Sequence, residues 1–253
     1  MSHEAMLMHR DEYAVMFQVE DDYWWYRGLR ALVQSVLARY APRGAMILDA
    51  GCGTGANLQM LQSYGHAIGI DISEQAIAFC RARGIPPDRA FRASLNELPF
   101  PDRLFDLVVS FDVICNIPDD VAAFTEIGRV LKPGGRLVTQ LPAYQWLWST
   151  HDVAVGHQRR YSSRELRSKV ARAGLEIERI THTNVIFLPL VIARRFAQRP
   201  HLNGERAVSS DLATPLPRVL NESLGAIAVA EMRSLARVDF PVGVSVLVVA
   251  KKR

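Results

Sequence analysis

Lysine is scarce. Only Lys132, Lys169, Lys251 and Lys252 occur among 30 basic residues, so the positive charge is almost entirely guanidinium. That suits planar recognition of anions, and it equally fits a bias in genome composition. Long runs of one charge are also missing: 30 basic against 26 acidic residues give a net charge of +4 over 253 residues, spread along the chain. Electrostatics therefore offer no argument for a nucleic-acid partner. The three cysteines, Cys52, Cys80 and Cys115, are odd in number and lack metal-ligand spacing, which speaks against a disulfide framework and for a reducing cytoplasm. Residues Met1–Arg10 lack the pattern of a signal peptide, and no apolar run approaches the roughly 20 residues that span a bilayer. The expectation is a soluble, cytoplasmic chain without stable membrane insertion. With 49% apolar residues and no internal repeat, disorder and fibrous architectures are excluded, leaving one globular domain with an appendage.

What is present alternates. Tyr23, Trp24, Trp25 and Tyr26 precede Leu29, Leu32, Val33, Val36 and Leu37 at helical spacing, so Asp11–Tyr40 reads as helices with one apolar face. Strand-like runs at Met46–Leu48, Ala67–Ile70, Phe105–Ser110 and Arg136–Leu141 alternate with helical stretches at Ser73–Arg83 and Asp119–Leu131. That order predicts a doubly wound α/β sheet whose strands are parallel. Asp119 is a candidate N-cap, and Lys132, Pro133, Gly134 and Gly135 read as a helix stop. Ser162 with Glu165 has the spacing of a capping box for a further helix ending near Gly174, followed by strands at Glu176–Thr183 and Val244–Ala250. The sixty residues between those two strands are too many for a hairpin loop and predict an added helical layer.

Asp49, Ala50, Gly51, Cys52, Gly53, Thr54 and Gly55 follow the first strand with glycines at alternate positions, which is not the spacing of a dinucleotide fingerprint. Glycine there permits a sharp strand-to-helix turn and lets a ligand lie against main-chain atoms. A tight turn without a ligand is the plain alternative. Asp71 ends the next strand about 20 residues on, where a carboxylate accepts both ribose hydroxyls of a nucleoside lying across the strand ends.

The glycine motif through Gly55, then Gly69 to Ser73, then Leu98, Pro99, Phe100, Pro101, Asp102, Phe105 and Asp106, and finally Val130 to Gly135 come in an order that resembles the class I S-adenosylmethionine-dependent methyltransferases, in the branch called methyltransferase type 11 or 12. The resemblance covers Met46 to Gly135 and implies a seven-stranded Rossmann-like sheet that binds S-adenosylmethionine, with S-adenosylhomocysteine as product. Carried over by position, it places Gly51, Cys52, Gly53 and Gly55 against the methionine part, Asp49 near its ammonium, Asp71 on the ribose, and Ile72 and Leu95 on the adenine faces. Two departures stand out. Ser94 occupies a place where relatives often carry an Asp for the adenine amino group, and Asn116 ends the run Asp112, Val113, Ile114, Cys115, Asn116 where relatives often have His. Asp112 is retained as a donor contact only. Arg27 and Arg30, a helical turn apart after Trp24 and Trp25, are candidates for the donor carboxylate, resembling an arginine in quinone-pathway O-methyltransferases.

Acceptor chemistry should come from the loop after Leu141, since ligands of doubly wound sheets meet the carboxyl ends of the strands. It reads Trp146, Leu147, Trp148, Ser149, Thr150, His151, Asp152, then Gly156, His157, Gln158, Arg159, Arg160, Tyr161. His151 and His157 are candidate general bases because imidazole titrates near neutrality, and Tyr161 joins them as a catalytic candidate; loop packing is the plain alternative for each. Arg159 and Arg160 suit a substrate carboxylate or phosphate, or simply solvent ahead of a helix. Tyr23, Trp24 and Trp148 are candidate substrate contacts, and an aromatic face also suits a cationic donor. No metal site is expected. Val185–Ala193 followed by Arg194 and Arg195 allows peripheral contact with a membrane, helix-on-sheet packing being the plainer use.

These readings divide the chain into an N-terminal helical lid (1–42), a methyltransferase core (43–184), a helical insertion for substrate or oligomer contacts (185–242) and a final, antiparallel core strand (243–253). The expected function is methyl transfer to an O, N or C nucleophile of a small molecule in a biosynthetic or tailoring pathway, in a monomer or homodimer. Competing readings are a regulatory protein that binds the cofactor without transfer, an enzyme using the cofactor for other chemistry such as cyclisation, and a nicotinamide oxidoreductase, which the glycine spacing disfavours.

Overall fold

The computed structural model describes residue 8, residues 10–198 and residues 216–253. Two helices, α1 (Arg10–Val19) and α2 (Trp24–Tyr40), lead into β1 (Ala45–Ala50), α3 (Ala56–Leu61), β2 (Gly65–Asp71), α4 (Glu74–Ala82) and the short β3 (Ala90–Arg92). Then follow β4 (Phe105–Phe111), α5 (Asp120–Val130), β5 (Leu131–Pro142), α6 (Thr150–Ala154), α7 (Ser163–Arg172) and β6 (Leu175–Thr183). The insertion supplies α8 (Leu188–Gln198) and α9 (Arg218–Ser234) before β7 (Ser245–Lys252). Part of the loop expected between those two helices lies outside the described residues.

All seven strands join one sheet in the order β3-β2-β1-β4-β5-β7-β6. β1 runs parallel to β2 and β4, and β4 to β5, while β7 is antiparallel to both β5 and β6. The expected antiparallel last strand is therefore present, wedged between its neighbours with Val248 opposite Thr139 on one side and Ile180 on the other. Strands covered on both faces read as continuous apolar runs, and Leu107, Val108 and Val109 are fully buried accordingly. One face carries Leu32, Val33, Val36 and Leu37 of α2 against Ile47, Leu107 and Val249. The other packs Phe124, Ile127, Leu166 and Val170 against Val108, Leu137 and Val248. α2 is thus a buried helical layer over most of its length, and only α1 and the first turns of α2 reach the strand ends.

Helix punctuation follows the side chains. Asp119 caps α5 by accepting from Ala122 N at 3.0 Å, Ser73 caps α4, and Ser162 caps α7 by accepting from Glu165 N at 3.2 Å. The Glu165 carboxylate lies 3.1 Å from Lys169, and the reciprocal capping box occurs instead at Ser149 and Asp152, starting α6. α5 stops at Val130, so Lys132 is not its last residue: residues 132–135 already belong to β5, and Lys132 pairs with Asp106 at 2.8 Å. No described helix is long and apolar enough to cross a membrane.

Candidate active site

The carboxyl ends of β1, β2 and β4 open onto a cavity of about 480 Å³, closed by α1, the start of α2, α6 with the loop after it, and α8. Gly51 makes the turn after β1: its φ is +95°, and a Cβ there would come within 2.3 Å of Val113 Cγ2. The Gly51 and Cys52 N–H groups both donate to Ile70 O at 2.9 Å, which binds the turn back onto β2. Gly51, Cys52 and Gly53 line the cavity, whereas Gly55 does not. A Cβ at Gly55 would meet Ile85 and Cys80, so this expected donor contact serves the packing of α3 against the neighbouring helix.

Two carboxylates stand at the adjacent strand ends. Asp71 accepts from Gly53 N at 3.0 Å and from Ser73 N at 2.9 Å; burial raises its pKa against the pull of those bonds. Asp49 is only 2% exposed, and its Oδ2 has no hydrogen-bond partner among the described residues. Burial, with the charge of Asp71 adding to it, pushes Asp49 up to about 7. A buried, unpartnered carboxylate oxygen is costly unless a ligand satisfies it, and a cationic donor does so best. Ile72, Leu95 and Ser94 line the same side. Ser94 Oγ accepts from Asn96 N at 3.2 Å, leaving its hydroxyl proton for a ligand. An orphaned acceptor for an ammonium, a fixed carboxylate for hydroxyls and an apolar pair for a flat ring together fit S-adenosylmethionine.

The other predicted residues separate into two groups. Tyr23, Trp24, Asp112, His151, His157 and Arg160 all line the cavity. Asp112 takes φ +56° just past β4, and burial raises its pKa while the hydrogen bond from Gln140 and the charge of Arg160 pull it back. Arg160 clamps Asp152 through Nε and Nη2, at 2.8 and 3.0 Å, and His157 Nδ1 lies 2.8 Å from the same carboxylate.

Four expected contacts fall elsewhere. Arg27 pairs with Glu222 at 2.6 Å where α2 meets α9, and Arg30 lines the cavity in its place, donating to the carbonyls of Glu20 and Asp21. Arg159 turns to Asp120 at 3.1 Å and to Pro118 O at 2.7 Å. Tyr161 is fully buried and donates to the same Asp120 at 2.8 Å, so it is a structural residue and not a catalytic one. Trp148 is half-buried outside the cavity.

Several wall residues were not anticipated. Phe187, Leu190 and Val191 bring the insertion onto the cavity, and Phe187 packs on Trp24 with ring centroids 4.6 Å apart. The apolar run Val185–Ala193 was the signal, although its inward face was not readable. Glu20, buried, hydrogen-bonds Thr54 beside the glycine turn and pairs with Arg83 at 2.7 Å. Asn116 also lines the cavity and is held by a bond from Nδ2 to Val155 O at 3.2 Å.

Residues 48–139 match the family described as methyltransferase domain. A protein of Mycolicibacterium smegmatis named a probable S-adenosylmethionine-dependent methyltransferase is 32% identical over 161 residues, 62% of this chain and 62% of that protein. The chain thus spans about three-fifths of the length of that curated relative. Among solved structures, an S-adenosylmethionine-dependent methyltransferase of Thermotoga maritima aligns with a TM-score of 0.61 at 21% identity, covering 96% of each chain. The [4+2]-cyclase SpnF aligns at 0.55 and 23%, over 88% of this chain and 80% of its own. Both structural likenesses establish the fold, and their different chemistries show that the fold does not choose the reaction. The glycine turn, the two strand-end carboxylates, the sheet order and the sequence match agree: residues 48–139 carry a methyltransferase domain, and the chain has the Rossmann-like methyltransferase fold.

Proposed function

We propose that the chain transfers the methyl group of S-adenosylmethionine to a small, largely apolar acceptor held against α8. The observation that carries this reading is the placement of Asp49, with its unpartnered Oδ2, and Asp71 in one cavity with an aromatic and aliphatic wall. When bound, the cofactor supplies an electrophilic methyl on a positively charged sulfur. Asp71 would accept from the ribose hydroxyls, Asp49 would face the ammonium, and Ile72 and Leu95 would flank the adenine. Trp24, Trp25 and Tyr26 exclude water and offer π faces to a nearby positive charge. Phe187, Leu190 and Val191 form the acceptor side, with Arg160, the two histidines, Arg194 and Arg195 among its polar groups. Most of the rate comes from holding nucleophile and methyl in line at roughly 3 Å in a closed site.

The test is incubation of the full chain with S-adenosylmethionine carrying a heavy methyl, against aqueous and lipid extracts of the source cell, read by mass spectrometry. A mass-shifted species names the acceptor, and label in the lipid fraction makes Val185–Arg195 an interfacial element. Donor binding by calorimetry with no shifted species in either fraction would overturn methyl transfer in favour of another use of the same cofactor.

A further inference from the structure

Three residues of one stretch, Ser149, His157 and Arg160, converge on Asp152 at the acceptor side of the cavity. Its fully buried carboxylate closes the capping box of α6, accepting from Ser149 N at 2.8 Å. Arg160 clamps both oxygens, and His157 Nδ1 lies 2.8 Å from Oδ1. Burial alone would raise the carboxyl, but the hydrogen bond from His157 and the Arg160 charge outweigh it and hold Asp152 well below the usual carboxylate range. A carboxylate that stays ionised can only accept, so Nδ1 is the donor of this pair, and the tautomer that keeps its proton there carries the free lone pair on Nε2. His157 lines the cavity, and Nδ1 makes its side-chain hydrogen bond, leaving Nε2 for a ligand. The groups facing the ring are Asp152 and His151 on α6, Arg160 beyond it, and Asp112 after β4. The other candidates of this loop, Arg159 and Tyr161, are committed to Asp120.

We propose that His157 is the general base of the transfer, set in its tautomer by Asp152, and that the acceptor group is a phenolic or enolic hydroxyl on an apolar molecule. This rests on the methyl-transfer reading above. A hydroxyl arrives neutral, which suits the aliphatic and phenyl wall of Phe187, Leu190 and Val191, and it must shed a proton as it is methylated; an amine arrives as an ammonium whose desolvation against that wall is costly. An O–C bond forms to the methyl as the C–S bond breaks with its electron pair staying on sulfur. The hydroxyl proton passes to His157 Nε2, and the positive charge lost at sulfur reappears on an imidazolium facing Asp152. The product is a methyl ether. Asp152 is a positioning residue, and Arg160 keeps it ionised.

The first measurement is independent of the acceptor: long-range ¹H–¹⁵N correlation of the ¹⁵N-histidine-labelled full chain at pH 7.5, with and without S-adenosylhomocysteine. The expected result is His157 with Nδ1 protonated and Nε2 bare, and a drift toward the other tautomer in Asp152→Asn. An imidazolium at that pH, or a proton on Nε2 in the wild type, overturns the base. The second uses heavy-methyl S-adenosylmethionine with cell extract. Label on oxygen is expected, and His157→Gln should lower kcat about 10²-fold or more with donor affinity unchanged, its residual rate climbing with pH as the acceptor ionises by itself. Label on nitrogen or carbon, or full kcat in His157→Gln, overturns the proposal. A wild-type chain that fails to bind the donor overturns the methyl-transfer reading instead, and donor binding without any labelled species overturns transfer and base together.

Discussion

Removing the Asp71 carboxylate should uncouple the donor from the sheet. Each of its oxygens already accepts one backbone N–H, from Gly53 at 3.0 Å and Ser73 at 2.9 Å, which fixes the carboxylate plane and leaves further lone-pair capacity on each for a ribose hydroxyl. Two charge-assisted bonds of about 1.5–3 kcal/mol each amount to about 3–6 kcal/mol, so Asp71→Ala should weaken donor binding by roughly 10²- to 10⁴-fold. The Ala variant also frees the Gly53 N–H and with it one tether of the glycine turn, which pushes the loss toward the upper end. Asp71→Asn keeps one carbonyl acceptor but turns an amide donor toward a backbone N–H, and should fall between Ala and wild type. The assay is titration calorimetry with S-adenosylhomocysteine at pH 8, with circular-dichroism melting as the check on folding. A folded Asp71→Ala variant that binds within threefold of wild type would refute the assignment and move the nucleoside away from the end of β2.

Asp49, pushed up to about 7 by burial and the neighbouring Asp71, is largely protonated at pH 6 in the unliganded chain. A ligand ammonium against Oδ2 lowers it, so donor binding should release up to about one proton at pH 6 and almost none at pH 9, measured by calorimetry in buffers of different ionisation enthalpy. The same raised value means that the native state binds more protons than the unfolded chain between the ordinary carboxylate pKa and about 7. Stability should therefore fall as pH rises through that window, and urea titrations of Asp49→Asn should lose most of that fall. Asp152→Asn strands Arg160, a buried cation with only 3% of its side chain exposed, and should cost about 3–5 kcal/mol. Adding Arg160→Met should recover part of that in denaturant melts, and a double variant no better than the single one would count against the ion pair as the cause. At Gly28 a Cβ would come within 2.9 Å of Ala228 Cβ, so Gly28→Ala should force α2 from α9 and cost about 1–3 kcal/mol by thermal unfolding.

The sheet was legible because its strands are covered on both faces and so read as apolar runs between turn residues. β3 was the exception: three residues, Ala90–Arg92, with only Ala90 buried, leave no run to register. The convergence of the glycine turn and the two carboxylates on one cavity was legible for a related reason. Asp49 to Gly53 and Asp71 to Ile72 are consecutive residues at strand ends, and the topology of a doubly wound sheet carries them to one crevice without any knowledge of side-chain packing. Arg27 and Arg30 show where that stops. Both lie on α2 a turn apart, and what separates them is Glu222, 195 residues away on α9, which holds Arg27 at the helix interface.

The acceptor loop was legible as a cluster and illegible as a geometry, yet one local feature sorts it. Residues 159–161 run extended beside the end of β5: Tyr161 bridges Ala143 in parallel, Tyr161 N donates to Pro142 O at 2.8 Å, and Tyr144 N donates to Tyr161 O at 2.9 Å. In an extended segment successive side chains point to opposite faces. Arg159 and Tyr161 therefore share one face and meet Asp120, while Arg160 takes the other and meets Asp152. Read with a period of two, the same letters divide into a structural pair and an arginine that lines the cavity. What remained beyond reach was the capping box that turns the Asp152 carboxylate inward, because Ser149 and Asp152 are equally compatible with a solvated helix start. His157 depends on that inward turn, since Asp152 is the group that its Nδ1 meets at 2.8 Å beside the cavity.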